Sequence, residues 1–467
     1  MVHSSKRKLA LVSAMTAFGL TLTACGGGTA TTTAPATGGS SSSSQAAPAA
    51  SGEVNYWLWD ANQLPAYQTC ADDFHKANPN VTVKVTQYGW DDYWAKVTNG
   101  FVAGTAPDVF TNHLSKYPEF VTNSQLEPLD SYISADGVKT DIYQPGLADL
   151  WVAQDGKRYG LPKDFDTVAI FYNDKLVQDA GLTGDALGKL TWNYDDGGTY
   201  EKAIAHLTID TNGKRGDEAG FDKTKVKVYG LGLDGGSGGG NGQTQWSMYS
   251  GTTGWQFTDK ATWGTKYNYN DPKFQKTIAW MRHLIDKGYM PSLEAVTGQS
   301  SADIFAAGKY AMITQGSWMI GQFYGYKDIK VGLAPTPTGP EGKRASMYNG
   351  LADSIWAGSK NKAAAAKWVE YLGSPACQNV VGAKGVVFPA IPSGTQAAQD
   401  AFKAKGIDVS AFLVHTTEKT TFLFPITDHA SQINPIMQAA VDSVFTGKAD
   451  AASLTAANDQ VNALFGK

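Results

Sequence analysis

The chain has 467 residues, 42% of them hydrophobic, three cysteines and a formal net charge of −4. That length accommodates two lobes of ordinary domain size beyond a short leader. No basic stripe exists to neutralise phosphates, which speaks against a nucleic-acid partner.

Lys6, Arg7 and Lys8 give a positive start, and Leu9 to Leu22 is apolar and uncharged. That run is too short to span a bilayer stably, and small residues follow it, so residues 1–24 are predicted to be a removed secretory signal. Leu22-Thr23-Ala24-Cys25 resembles the bacterial lipobox, in which the cut falls just before the cysteine and its thiol is diacylated. The alternative is an ordinary signal with Cys25 incidental. Two acyl chains suffice to hold a protein at a membrane. Removing residues 1–24, which carry three positive and no negative side chains, would take the net charge to −7. Residues 25–52 are almost entirely Gly, Ser, Thr, Ala, Gln and Pro, and read as a tether with a reach of about 25–30 Å. No second long apolar run follows.

Ordered sequence begins near Glu53 and alternates strand and helix signals. Val54 to Trp59 reads as a strand, Pro65 opens a helix ending at Asn78-Pro79-Asn80, and Val81 to Val85 alternates with period two. Trp90 to Val102 reads as a helix and Ala106 to Phe110 as the third strand. This order predicts a parallel sheet covered by helices, with ligand-binding loops at the carboxyl ends of its strands. Further strands are expected at Val168–Tyr172, Val226–Tyr229, Ala311–Thr314 and Lys330–Leu333. Helices are expected at Glu201–Leu207, Pro272–Lys287, Lys362–Leu372 and Pro435–Phe445, and a Gly-rich loop covers Gly230 to Gly242.

Three enzyme-like strings lack the setting they need. Gly230-Leu231-Gly232-Leu233-Asp234-Gly235 matches a dinucleotide fingerprint, yet a polar glycine loop follows where a helix N-terminus should hold pyrophosphate. Gly235-Gly236-Ser237-Gly238-Gly239 has the spacing of a nucleophile elbow without its strand-to-helix turn. Asp210-Thr211-Asn212-Gly213 starts like a calcium loop, but Lys214 and Arg215 come next.

Several landmarks occur in an order that resembles the family 1 extracellular solute-binding proteins of ABC importers, the group that includes maltose-binding protein. They are the lipobox, Asp73 to Asn80 at a helix end, Ala106 to Phe110, and Gly160-Leu161-Pro162 leading to Phe171 through Leu176. Gly308 to Met312 leading to Gly316-Ser317-Trp318 completes the set. The resemblance implies an α/β fold of the periplasmic-binding-protein kind, with two doubly wound lobes joined by a hinge of several crossings. One lobe would hold residues 53–163 and 346–400, the other 164–345 and 401–467, closing on a ligand by hinge bending. It also places Cys70 and Cys377 in the same lobe, which predicts a disulfide in an oxidising compartment; two separate buried thiols are the alternative.

The implied function is capture of a saccharide, of two or more units, and delivery to membrane permease subunits by a monomeric, lipid-anchored protein without cofactor or metal. Sugar recognition needs flat aromatic rings against the C–H face of a pyranose, with carboxylates or amides for paired hydroxyls. By resemblance Trp318 is the stacking residue and Asp166 the hinge carboxylate. Trp59, Asp60 and Asn62 follow the first strand, and Asn112 and His113 end the third. Asn241, Gln243 and Gln245 close the Gly-rich loop, and Tyr348, Asn349 and Asp353 follow the second crossing. Rival readings are a secreted glycoside-acting enzyme, whose carboxylate pair is not apparent in the adjacent Asp91-Asp92 or Asp195-Asp196, and a binder of peptides or polyamines.

Overall fold

The structure, a computed structural model, describes residues 50–466. The predicted signal, Cys25 and nearly all of the tether lie outside those residues. Among the described residues no helix is long and apolar enough to cross a membrane.

β1 (Gly52–Leu58), helix Leu64–Ala77, β2 (Val81–Gln87), helix Trp90–Ala103 and β3 (Val109–His113) alternate along the chain. β1 pairs parallel with both β2 and β3. β3 starts three residues later than the sequence suggests. Pro107 has no N–H to offer a ladder, and Asp108 is occupied otherwise: its carboxylate accepts Asn55 N–H at 2.9 Å and the Ser359 hydroxyl at 2.6 Å.

The remaining strands are β4 (Leu161–Asp166), β5 (Val168–Asn173), β6 (Ile209–Asp210), β7 (Val226–Leu231), β8 (Tyr310–Gly316), β9 (Val331–Ala334), β10 (Ser346–Ile355), β11 (Phe388–Pro389) and β12 (Thr421–Leu423). They form two sheets. The first runs β11-β4-β10-β3-β1-β2, with β12 on β10; the second runs β6-β7-β8-β5-β9. Each is mixed. The expected parallel pairing holds for β1 with β2 and β3 and for β7 with β8. Strands bordering the crossings return antiparallel, as β10 does against β3 and β4.

Sheet membership moves the lobe boundaries. β4 stays in the first sheet through the Asn349–Asp166 pair, so the chain passes to the second sheet at Thr167 instead of after residue 163. The second passage lies between β9 and β10. Helix Pro392–Ala404 packs on helix Pro375–Lys384 of the first lobe, whereas helix Ser410–Thr417 packs on β5, so the third passage lies between them. β12 pairs with Ser346 to Tyr348, the end of β10 at which the chain arrives from the second sheet.

Helix Leu64–Ala77 buries Tyr67, Cys70, Ala71 and Phe74, an i, i+3, i+4, i+7 face that meets Trp368 and Cys377 in the first lobe's outer core. Cys70 and Cys377 are joined by a disulfide with their Cα atoms 5.3 Å apart, inside the range such bonds require.

Candidate functional site: an aromatic cleft between the lobes

A cavity of about 730 Å³ opens between the lobes, at the carboxyl ends of β1, β3, β4 and β8. This is a size typical of small-molecule sites. From the first lobe come Trp59 and Asp60, which directly follow β1, Trp90 at the start of its helix, and His113 at the end of β3. The rings of Trp59 and Trp90 meet edge to face at 5.1 Å, and His113 stands 5.6 Å from Trp90 and 5.0 Å from Phe424. Trp90 remains 45% exposed. An aromatic that open at a cleft rim is available to a ligand and contributes little to the core.

The second lobe supplies Asn241 and Gln243 from the Gly-rich loop, and Trp318 and Met319 just past β8. Trp318 is half-buried, unlike Trp246 or Trp192, which are wholly buried. Its six-membered ring lies where a Cβ on Gly316 would be, about 2.0 Å from Cζ3, so glycine there lets the indole lie flat against the chain. Between the walls, Asp166 and Asn349 face each other across the β4/β10 ladder and both line the cavity.

The polar groups are set by burial. Asp166 is 3% exposed and accepts the Ser317 hydroxyl at 2.8 Å. Burial pushes its carboxyl up to about 7; Ser317 and Lys163 oppose this and the Asp60 charge adds to it. Asp60 is partly tied, accepting Asn62 N–H at 2.8 Å and the Gln63 amide at 2.9 Å. His113 is driven down to about 3 by burial and by the Lys116 charge, and is therefore neutral at pH 7. Its Nδ1 accepts Ser115 N–H at 3.1 Å, and its Nε2 lies 2.9 Å from the Asn349 amide. Nε2 then carries the proton, and the Asn349 oxygen is the group that suits it. Lys116 lies 5.6 Å over the Trp94 ring, lowered by burial and without a carboxylate in ion-pair reach among the described residues. The cleft thus offers three tryptophans, two carboxylates, one ammonium and several amides, a set suited to an uncharged polyol and unsuited to a polyanion.

The structure brings together Trp59, Asp60, Asn62, His113, Asp166, Asn241, Gln243, Trp318 and Asn349 at this cavity. It places Asn112 and Asp353 elsewhere. Neighbouring strand residues point to opposite faces; with His113 toward the cleft, Asn112 turns into the sheet and donates to Ser354 Oγ at 3.1 Å. Asp353 sits farther along β10 and accepts the hydroxyls of Tyr56 (2.9 Å) and Thr111 (3.0 Å), beside the buried ammonium of Lys163. Tyr348 stacks on Phe165 at 5.2 Å, outside the cavity lining. Gln245 donates to the Asp234 carbonyl and borders an adjoining cavity. Sequence reasoning missed Trp90, Lys116, Phe424 and Asn434. Only Trp90 carried a signal, a tryptophan at a helix start after Gly89, where no core demands it. The calcium-like string proves to be a turn, its Asp210 carboxylate accepting the N–H groups of Asn212, Lys214 and Asp222. Among the described residues no cluster suited to a metal occurs.

The family model described as "Bacterial extracellular solute-binding protein" matches residues 59–379. A maltooligosaccharide ABC transporter solute-binding lipoprotein of Streptococcus pneumoniae is 27% identical, over 97% of this chain and 96% of its own. Among solved structures, an ABC substrate-binding protein of Listeria monocytogenes in complex with cycloalternan superposes with a TM-score of 0.74 at 21% identity, covering 89% of this chain and 99% of that one. A Streptomyces glaucescens receptor solved unliganded and with acarbose gives 0.70 at 22% identity, over 89% and 99%. At these identities the structures establish the shared fold. With more than half its length matched by the family model, the chain belongs to the bacterial extracellular solute-binding proteins.

Proposed function

We propose that this protein captures an uncharged saccharide of two or more units outside the cell and hands it to the permease subunits of an ABC importer. The observation that carries the reading is the cleft itself: Trp59, Trp90 and Trp318 from opposite lobes, with Asp60, Asp166, Asn241 and Gln243 between them. Rings bury the C–H faces of a pyranose while the carboxylates and amides replace water on its hydroxyls. The saccharide-binding relatives support it, as does the passage of the chain between lobes at Thr167, which suits closure around a ligand. Attachment at Cys25 and action as a monomer belong to the same proposal.

A thermal-shift screen over mono- and oligosaccharides tests it, because a ligand at a hundred times its Kd adds about 2.7 kcal/mol of stability. A saccharide that raises the melting temperature and is recovered intact supports the reading. Cleaved sugar would make the protein an enzyme. A screen in which only peptides or polyamines stabilise the protein would overturn the sugar assignment.

A further inference from the structure

Beside the cleft the lobes are joined by side chains that belong to none of the three chain passages. Helix Tyr117–Thr122 of the first lobe meets the start of helix Ala430–Phe445, which packs on helix Pro272–Asp286 of the second. The Glu119 carboxylate accepts the Ser431 N–H at 2.8 Å and its hydroxyl at 2.9 Å. The Thr122 hydroxyl donates to Asp428 at 2.7 Å, and the rings of Tyr117 and Trp263 meet edge to face at 5.6 Å. Lys116, just before the one helix, and Asn434, within the other, line the cleft; Glu119, Thr122 and Trp263 do not.

The contact is built into both lobes. His429 is the N-cap residue of helix Ala430–Phe445, yet its side chain makes no capping bond. A carboxylate of the opposite lobe takes that place, where free N–H groups and the helix dipole favour negative charge. The backbone is strained here too. Among the described residues four non-glycines have a left-handed φ, and Trp263 at +54° and His429 at +64° are two of them. That conformation is disfavoured for a ring as bulky as Trp263, and persists only where the surrounding structure imposes it. The Trp263 N–H donates to the Ile426 carbonyl at 2.7 Å and the hydroxyls of Tyr267 and Thr427 pair at 2.8 Å, so bonds within the second lobe impose it here.

These links differ from those of the hinge. Thr167 donates to the Phe412 carbonyl and Ser346 accepts the Val168 N–H, each at 2.8 Å and buried. Thr122 and Ser431 are exposed, so water can replace their bonds at small net cost. A hydrogen bond does not survive a rotation that parts its atoms by a few ångströms. The contact is therefore incompatible with a wider cleft, and it breaks cheaply enough to be reversible.

We infer that Glu119 and Trp263 are positioning residues of a latch between the lobes. They lie outside the cleft and hold the second lobe's cleft-lining helix against the first lobe, and bound sugar leaves only when this contact opens. The sugar comes from the function proposed above, on which that last step rests; the latch itself does not.

Small-angle X-ray scattering on the ligand-free full chain tests the latch without any sugar. Glu119→Ala and Trp263→Gly, the latter also relaxing the strained φ, should enlarge the radius of gyration relative to wild type. Glu119→Gln keeps an oxygen acceptor for Ser431 and should stay close to wild type. With a sugar from the thermal-shift screen, stopped-flow should show dissociation about tenfold faster in Glu119→Ala, with association within about threefold. A merely structural role predicts a different pattern: a lowered melting temperature with wild-type scattering and release. That pattern, or slower release from Glu119→Ala, would overturn the latch. Should Glu119→Ala not fold, Thr122→Val loses one exposed bond and should move both readouts the same way by less. If no sugar binds, the saccharide reading fails, and scattering alone still decides the latch.

Discussion

The hydroxyl of Ser317 donates to Oδ1 of Asp166 at 2.8 Å, tying the last residue of a strand in one sheet to the residue just past a strand in the other. Since this bond holds the Asp166 carboxyl down against its burial, Ser317→Ala should raise that group above about 7. Loss of a partner for a buried carboxylate should also cost about 1–3 kcal/mol of stability. Carboxyl-carbon NMR titration reads the first effect; an unmoved midpoint would remove Ser317 from the account.

Asp166→Asn isolates the pH dependence of the same site. The wild-type carboxyl goes from an ordinary 3.8 to about 7 on folding, so between those values the folded state holds a proton that the unfolded chain lacks. Stability from this group therefore falls as pH rises from about 4 to 7. Asparagine has no such dependence, and the variant should gain on wild type steadily across that window. His113 and His415, lowered to about 3 and about 4, act in the opposite sense below 6.5 but are common to both proteins. Urea unfolding at pH 5, 6 and 7.5 measures the difference; a constant offset would refute it.

Trp318→Ala should weaken sugar binding by about 2–4 kcal/mol, the range of an aromatic anchor. Because the ring is half-buried, the loss of folding stability should stay well below the about 3–5 kcal/mol of a core tryptophan. Melting temperature and calorimetric affinity on one variant separate the two effects. A folded variant with wild-type affinity would exclude the stacking role.

The Cys70–Cys377 bond closes a loop with a sequence separation of 307. Cys70→Ser with Cys377→Ser should cost up to about 5 kcal/mol, since a long loop constrains the unfolded chain strongly. Thiol titration of the unfolded, unreduced protein should find neither residue free. Two free thiols would contradict the bond.

The elements legible in the sequence were those with clean periodicity, such as β2 and helix Trp90–Ala103. β4 and β10 were not. β4 reads Leu-Pro-Lys-Asp-Phe-Asp, yet every residue is buried, and β10 contains Asn349, Gly350, Asp353 and Ser354. Buried on both faces, these strands have no polar side to alternate with; Asp166, Asp353 and Ser354 find partners inside the fold, whereas neither carboxylate oxygen of Asp164 has one among the described residues. Helix Ala430–Phe445 begins five residues before Pro435, which the sequence suggests as its first turn, because His429 turns the chain with φ +64°. The site residues at strand ends were readable from strand position; Phe424 and Lys116 were not, since their places depend on β12 and on the loop after β3.

The placement of β10 also dictates the order in which the molecule can be assembled. It lies between β3 and β4, both synthesised well before it. A nascent chain that has not reached residue 355 carries two unfilled strand edges where the middle of a sheet should be, and such edges invite pairing with other chains. The first lobe closes only when a segment that has already toured the second lobe comes back to it. The two lobes cannot be made as separate linear fragments, and a chain cut short before Ser346 keeps a sticky seam instead of half a binding protein.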